Sequence, residues 1–247
     1  MQQPHAVDVP LIEHLAELRR RLLWILAAVA AGFLAAWAAS DRLIGLALFP
    51  LRQAAPHLQL VTLSVTEGFV TTVKLAAWAG FTLAFPVVVW QIWAFVAPAL
   101  THSERPWAML LLLPALCCFL IGGIFCWGVV LPPALSFLIA ANGTNFQPAF
   151  SYGAYIDFVI MFMIVTGILF ELPLLLAFLD AIGLLPVDTL RAHRRHAIVA
   201  AFVVGAVFSP PDVVSQLLVS IPIVFLTEAG IWLSVARRSF GRQKPQP

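Results

Sequence analysis

The chain has 247 residues, 62% of them hydrophobic and 11% charged, with a mean hydropathy of +0.96. A water-soluble domain of this size needs a more charged surface, so the composition excludes one and points to a polytopic membrane protein. The net charge of +2 says little; the placement of the charges says more.

Residues 9–21 place Leu11, Ile12, Leu15, Leu18 and Leu22 at helical spacing behind Pro10, which predicts a short amphipathic helix. Arg19-Arg20-Arg21 followed by an apolar run has the outline of an export signal. Asp8, Glu13 and Glu17 stand before the arginines, where such a signal is basic, so that reading is rejected. The run 22–39 instead predicts a first spanning helix of about 27 Å against a hydrocarbon core of about 30 Å. Asp41–Phe49 predicts a short interfacial helix stopped by Pro50.

A second span is expected over 68–95. Glu67 before it suits the helix macrodipole. Lys74 is expected to snorkel to the near interface, and Pro86 to kink the helix. Trp90, Trp93 and Trp107 then stand where an aromatic belt belongs. The third span, 108–131, ends at Pro132-Pro133, and its Gly122-Gly123 pair suits close helix approach. Its cysteines, Cys117, Cys118 and Cys126, read as small hydrophobes rather than a disulfide framework or a zinc site.

The fourth span, 154–179, carries Glu171 beside Pro173. A charge near mid-bilayer costs at least about 2.5 kcal/mol, which marks Glu171 as functional or as a protonated carboxyl bonded at the proline kink. In the following loop, His193 and His196 have no carboxylate or cysteine beside them, so no metal site is expected. Spans five and six, 197–208 and 213–235, form a shortened hairpin that predicts local membrane thinning. They meet at Ser209-Pro210-Pro211-Asp212, where Asp212 is placed to cap helix six; Gln216 and Glu228 add polar groups to that helix.

Eleven of the fourteen basic residues fall on one side if the N-terminus, the loops 96–107 and 181–196 and the C-terminus share it. Only Arg42 and Arg52 fall opposite, and Lys74 lies within a helix. The positive-inside rule then puts both termini in the cytoplasm, with six spans in one all-α membrane domain, 1–247.

Four motifs occur in order. His14, Leu15, Glu17, Leu18, Arg19, Arg21 and Leu22 spell H-L-x-E-L-R-x-R-L. Trp93, Phe95, Pro98 and Leu100 spell W-x-F-x-x-P-x-L, followed by Glu104 and Arg105. Phe170–Pro173 reads F-E-L-P, and 210–216 reads P-P-D-x-x-S-Q. Together they resemble the TatC family, the multi-spanning receptor subunit of the twin-arginine protein translocase. Pro50 also stands where that family has a proline. Pro106 departs from it, since the family continues basic after the glutamate.

The resemblance implies a bacterial inner-membrane protein that binds twin-arginine signal peptides of folded cargo on the cytoplasmic side. It would work with single-span partners of the TatA and TatB type, in self-associated complexes within membrane lipid, driven by the proton motive force. No enzyme activity, cofactor or nucleic acid is expected. Glu17 and Glu104, with Arg19 and the Phe95–Leu100 segment including Pro98, would form the signal-peptide site, because carboxylates accept a guanidinium fork bidentately and lysine cannot copy it. Glu171 and Gln216 would meet partner helices, with Pro50, Pro86, Pro173, Pro210, Pro211 and Asp212 shaping the frame.

Two other classes fit the composition. A proton-coupled transporter would also use Glu171, but no internal repeat or matching pair of interrupted helices is present. An intramembrane enzyme lacks a G-x-S-x-G or H-E-x-x-H motif.

Overall fold

The structure is a computed structural model that describes residues 11–97, 109, 112–141 and 149–241. Its first helix, α1 (Leu11–Ala38), is unbroken. The amphipathic start and the first span are therefore one element rather than two. Helix α1 lies along α3 (Glu67–Val96). The contact is tight enough that a Cβ added to Gly32 would lie 2.4 Å from the Gly80 carbonyl oxygen. Only two glycines facing each other permit this approach of backbones. Ala36, Ala76 and Ala79 extend the small-residue seam, and Phe33 and Trp37 flank it.

Between them, α2 (Ser40–Ala54) passes straight through Pro50, which was expected to stop it. Proline has no N–H, so the carbonyl one turn earlier, Leu46, loses its helical donor. The indole Nε1 of Trp127 donates to that oxygen at 3.0 Å, and its ring stacks on Phe49 with centroids 4.8 Å apart. The Tyr155 hydroxyl donates to the neighbouring Ala47 carbonyl at 2.5 Å. The helix continues because two other spans supply donors near the proline.

Trp127→Phe should therefore cost about 1 kcal/mol of stability, the usual worth of one such bond. In a Pro50→Ala background the cost should shrink, since residue 50 then brings its own N–H. Equal losses of thermal midpoint in both backgrounds would refute this account.

The third span also outruns its prolines. Helix α4 (Leu112–Phe125), a π-turn (Cys126–Val130) and α5 (Leu131–Ala141) form one 30-residue rod, ten residues longer at its end than expected. Pro132 and Pro133 cannot donate to Gly128 and Val129. The chain widens just before them, the Leu131 N–H bonding the Cys126 carbonyl. A single π-turn absorbs the mismatch. Of the glycine pair here, Gly122 packs against Thr166 and Phe170, whereas Gly123 has room around it.

The fourth span breaks rather than bends. Helix α6 (Tyr152–Leu169) ends where Pro173 cannot serve the Leu169 carbonyl, and α7 (Leu172–Ala181) restarts after Phe170 and Glu171. A short α8 (Val187–Ala192) precedes the hairpin of α9 (Arg194–Phe208) and α10 (Val213–Gly241). Helix α10 runs six residues past its expected end. At 15 residues, about 22 Å, α9 is too short for a full hydrocarbon core. The other five spans are long and apolar enough to cross.

On the outer side, the two connecting loops pair as short parallel strands, β1 (Leu60–Val61) and β2 (Phe150–Ser151). The central core joins α2, α3, the π-turn, α5, α6, α9 and α10 around Val130, Leu131, Ile156, Val159 and Phe162, each at most 2% exposed.

Candidate functional site

The inner ends of α1 and α3 come together through one arginine. Arg21 donates from Nε to Glu17 Oε1 at 3.1 Å, and its Nη2 reaches the same oxygen. From its other nitrogen, Nη1, it donates to Gln91 Oε1 on α3 at 3.4 Å. The pair is largely covered, with Arg21 17% and Glu17 26% exposed. Phe95 stands one turn beyond Gln91 on the same face of α3 and is half-buried. Arg19 is exposed beside this cluster. Glu17, Arg21, Gln91 and Phe95 thus share the cytoplasmic end of the α1–α3 pair. Pro98, Leu100 and Glu104 lie outside the described residues.

Glu171 is placed elsewhere. It occupies the break between α6 and α7, and Pro173 opens the new helix. Its Oε1 is enclosed and has no hydrogen-bond partner among the described residues. A polar oxygen in this position is costly unless protonated or met by another group. Gln216 is in the hairpin, where its Nε2 donates to the Phe202 carbonyl of α9 at 3.2 Å. Asp212 Oδ1 accepts the Ser215 N–H at 2.7 Å at the start of α10. Pro210 and Pro211 form the turn before it, and Pro86 lies within α3.

The family model for the Sec-independent protein translocase protein TatC matches residues 13–222. The chain belongs to the TatC family. It is 36% identical to the TatC of Aquifex aeolicus over 227 residues, covering 91% of this chain and 94% of that one. With the TatC of Escherichia coli K12 it shares 35% over 238 residues, 96% and 92% of the two chains. A crystal structure of the twin-arginine translocase receptor TatC superposes with a TM-score of 0.79 at 35% identity, covering 90% of this chain and 98% of that one.

As a TatC-family protein it is a core component of the twin-arginine translocation system. It is a multi-pass bacterial membrane protein of a transport family, and works with other Tat subunits.

The TatC fold also brings together charges that local spacing did not reveal. Lys74 does not snorkel: its Nζ donates to both oxygens of Asp157 on α6 at 2.8 Å, about 10 Å inside the outer end of α3. Glu67 does more than complement a dipole. It accepts from the Ser64 N–H at 3.3 Å and the Gly153 N–H at 2.6 Å, and also from the Leu63 N–H and the Ser151 hydroxyl, which fastens the two outer loops. At the inner side Asp180 is buried between Arg237 and Arg238 and accepts the Val187 N–H at 2.9 Å. Arg194 pairs with Glu228 at 2.9 Å. The pairs Lys74–Asp157, Glu67–Ser151, Asp180–Arg237, Asp180–Arg238 and Arg194–Glu228 join residues far apart in sequence, beyond the reach of helical periodicity.

Proposed function

We propose that this TatC-family chain recognises twin-arginine signal peptides on its cytoplasmic face through Glu17 and Glu104, with Phe95, Pro98 and Leu100 shaping the site. The observation that carries this reading is the Glu17–Arg21–Gln91 contact. It holds a carboxylate that already binds a guanidinium fork, at the end of α3 that residues 98–104 follow in sequence. A ligand arginine offers the same planar donors, and a lysine does not.

Glu171, with its enclosed and unpartnered oxygen, is proposed to meet a polar group on a single-span helix of the TatA or TatB type. A folded cargo of about 100 residues has a radius of gyration of about 13 Å, more than six helices can enclose, so partners complete the passage. The sequence carries no P-loop, which favours the proton motive force as the driving energy.

One crosslinking experiment, in membranes that contain the partner subunits, tests both sites. A photolabelled twin-arginine signal peptide should crosslink to the wild type and its Lys-Lys form should not. Glu17→Ala and Glu104→Ala should each lose the adduct and export, while Glu171→Ala should keep the adduct and lose crosslinks to the single-span partners. Normal adducts and export in Glu104→Ala would overturn the signal-peptide assignment, and unchanged partner crosslinks in Glu171→Ala would overturn the other.

A further inference from the structure

An apolar groove of about 300 Å³ lies between α2, α3, α4 and α6. Leu43 and Leu46 of α2, Leu75 and Trp78 of α3, Ile124 of α4 and Met163 of α6 line it. The groove is preformed, because Trp127 at its rim is fixed to α2 by the Leu46 carbonyl and the Phe49 ring. It opens outward, since Ile124 is 69% exposed and Leu46 58%. A cavity of roughly 150 Å³ takes up benzene, so this one has room for a chain of about ten to twelve carbons. A transmembrane helix, about 10 Å across, could cover the groove but could not enter it.

Next to the lining residues Leu43 and Leu46, α2 carries a cation. Arg42 directly precedes Leu43 and stands one helical turn before Leu46, on the same side of α2. It is exposed, just beyond the outer end of α1, at the level where lipid headgroups begin. Asp41 is displaced by about 100° around the helix. A guanidinium takes a phosphate bidentately. We propose that this groove is a phospholipid site of the outer leaflet, one acyl chain filling it and the phosphate resting on Arg42. The two halves adjoin on α2: a carbon-lined slot edged by Leu43 and Leu46, and an exposed arginine one helical turn before Leu46, just past the outer end of α1.

Native mass spectrometry of the purified chain in detergent tests this, with added phosphatidylglycerol and, separately, diacylglycerol of the same chains. Wild type should hold one phosphatidylglycerol. Arg42→Gln should weaken that binding about tenfold, the loss of one charge-assisted contact, and leave diacylglycerol binding unchanged. Ile124→Trp, which fills the slot from an exposed position, should weaken both. Leu46→Trp serves as a second filling variant if the first is poorly recovered.

Phosphatidylglycerol carrying a diazirine in its acyl chain should label α3 and α4 between Trp78 and Ile124. Equal phosphatidylglycerol binding by wild type, Arg42→Gln and a filling variant would overturn the site. So would labelling confined to other helices, or capture of a partner helix rather than lipid by a cysteine at position 124.

Discussion

Exchanging Gly80 for leucine is expected to remove nearly all folded protein. A Cβ at this position would lie 2.4 Å from the Phe33 nitrogen and 2.6 Å from its Cα. These are backbone atoms of α1, so no side-chain rotation relieves the clash. Overpacking a core typically costs about 1–3 kcal/mol even where neighbours can move, and here α1 itself must move away. Its separation would expose the buried Ala36, Ala76 and Ala79 seam and disturb the Arg21–Gln91 contact at the inner end of the same helices.

The checks are the yield of monodisperse chain from membranes and its thermal midpoint in detergent. Gly80→Ala should show a smaller loss, and Gly45→Ala, where nothing lies within 4 Å, none. Wild-type yield and midpoint for Gly80→Leu would mean that α1 and α3 do not meet at this point.

Asp180→Ala is the second large effect, at about 1–3 kcal/mol, because it leaves the buried Val187 N–H without its acceptor and two half-covered arginines without their shared carboxylate. The Asp180 side chain is fully enclosed, and two arginines of α10 and the Val187 N–H converge on it. Arg238 also reaches Asp188 at 3.1 Å, so α7, α8 and α10 are held by one cluster. Asp180→Asn keeps an acceptor for Val187 and should lose less. Beyond a lower thermal midpoint, Asp180→Ala should speed trypsin cleavage after Arg191 in α8. An unchanged cleavage rate would show that the cluster does not hold this segment.

The apolar runs made the spans legible, and the motif residues made the family legible. The prolines were the main source of error. Pro50 and Pro132-Pro133 look like stops in sequence, where a missing N–H is visible and its compensation is not. For Pro50 the compensation is an indole 77 residues later; for the Pro132-Pro133 pair it is a turn of different pitch. Lys74 failed for a related reason. Snorkelling was the local solution, but Asp157 stands 83 residues away. Glu17 is different, because its partner Arg21 lies one turn along the same helix, at the i, i+4 spacing of an intrahelical pair. What the sequence could not supply was Gln91, which carries the pair across to α3.

That bridge changes what recognition at Glu17 would mean. An incoming arginine would not meet an empty carboxylate; it would enter an exchange with Arg21. Solvation and charge nearly cancel between reactant and product in such an exchange, since one guanidinium replaces another. A lysine would have to displace two directed contacts with a point charge, and the balance would run against it. The internal arginine would then act as a standing competitor that lowers affinity for every ligand by the same factor, so that a weaker lysine ligand falls below useful occupancy while an arginine ligand still binds.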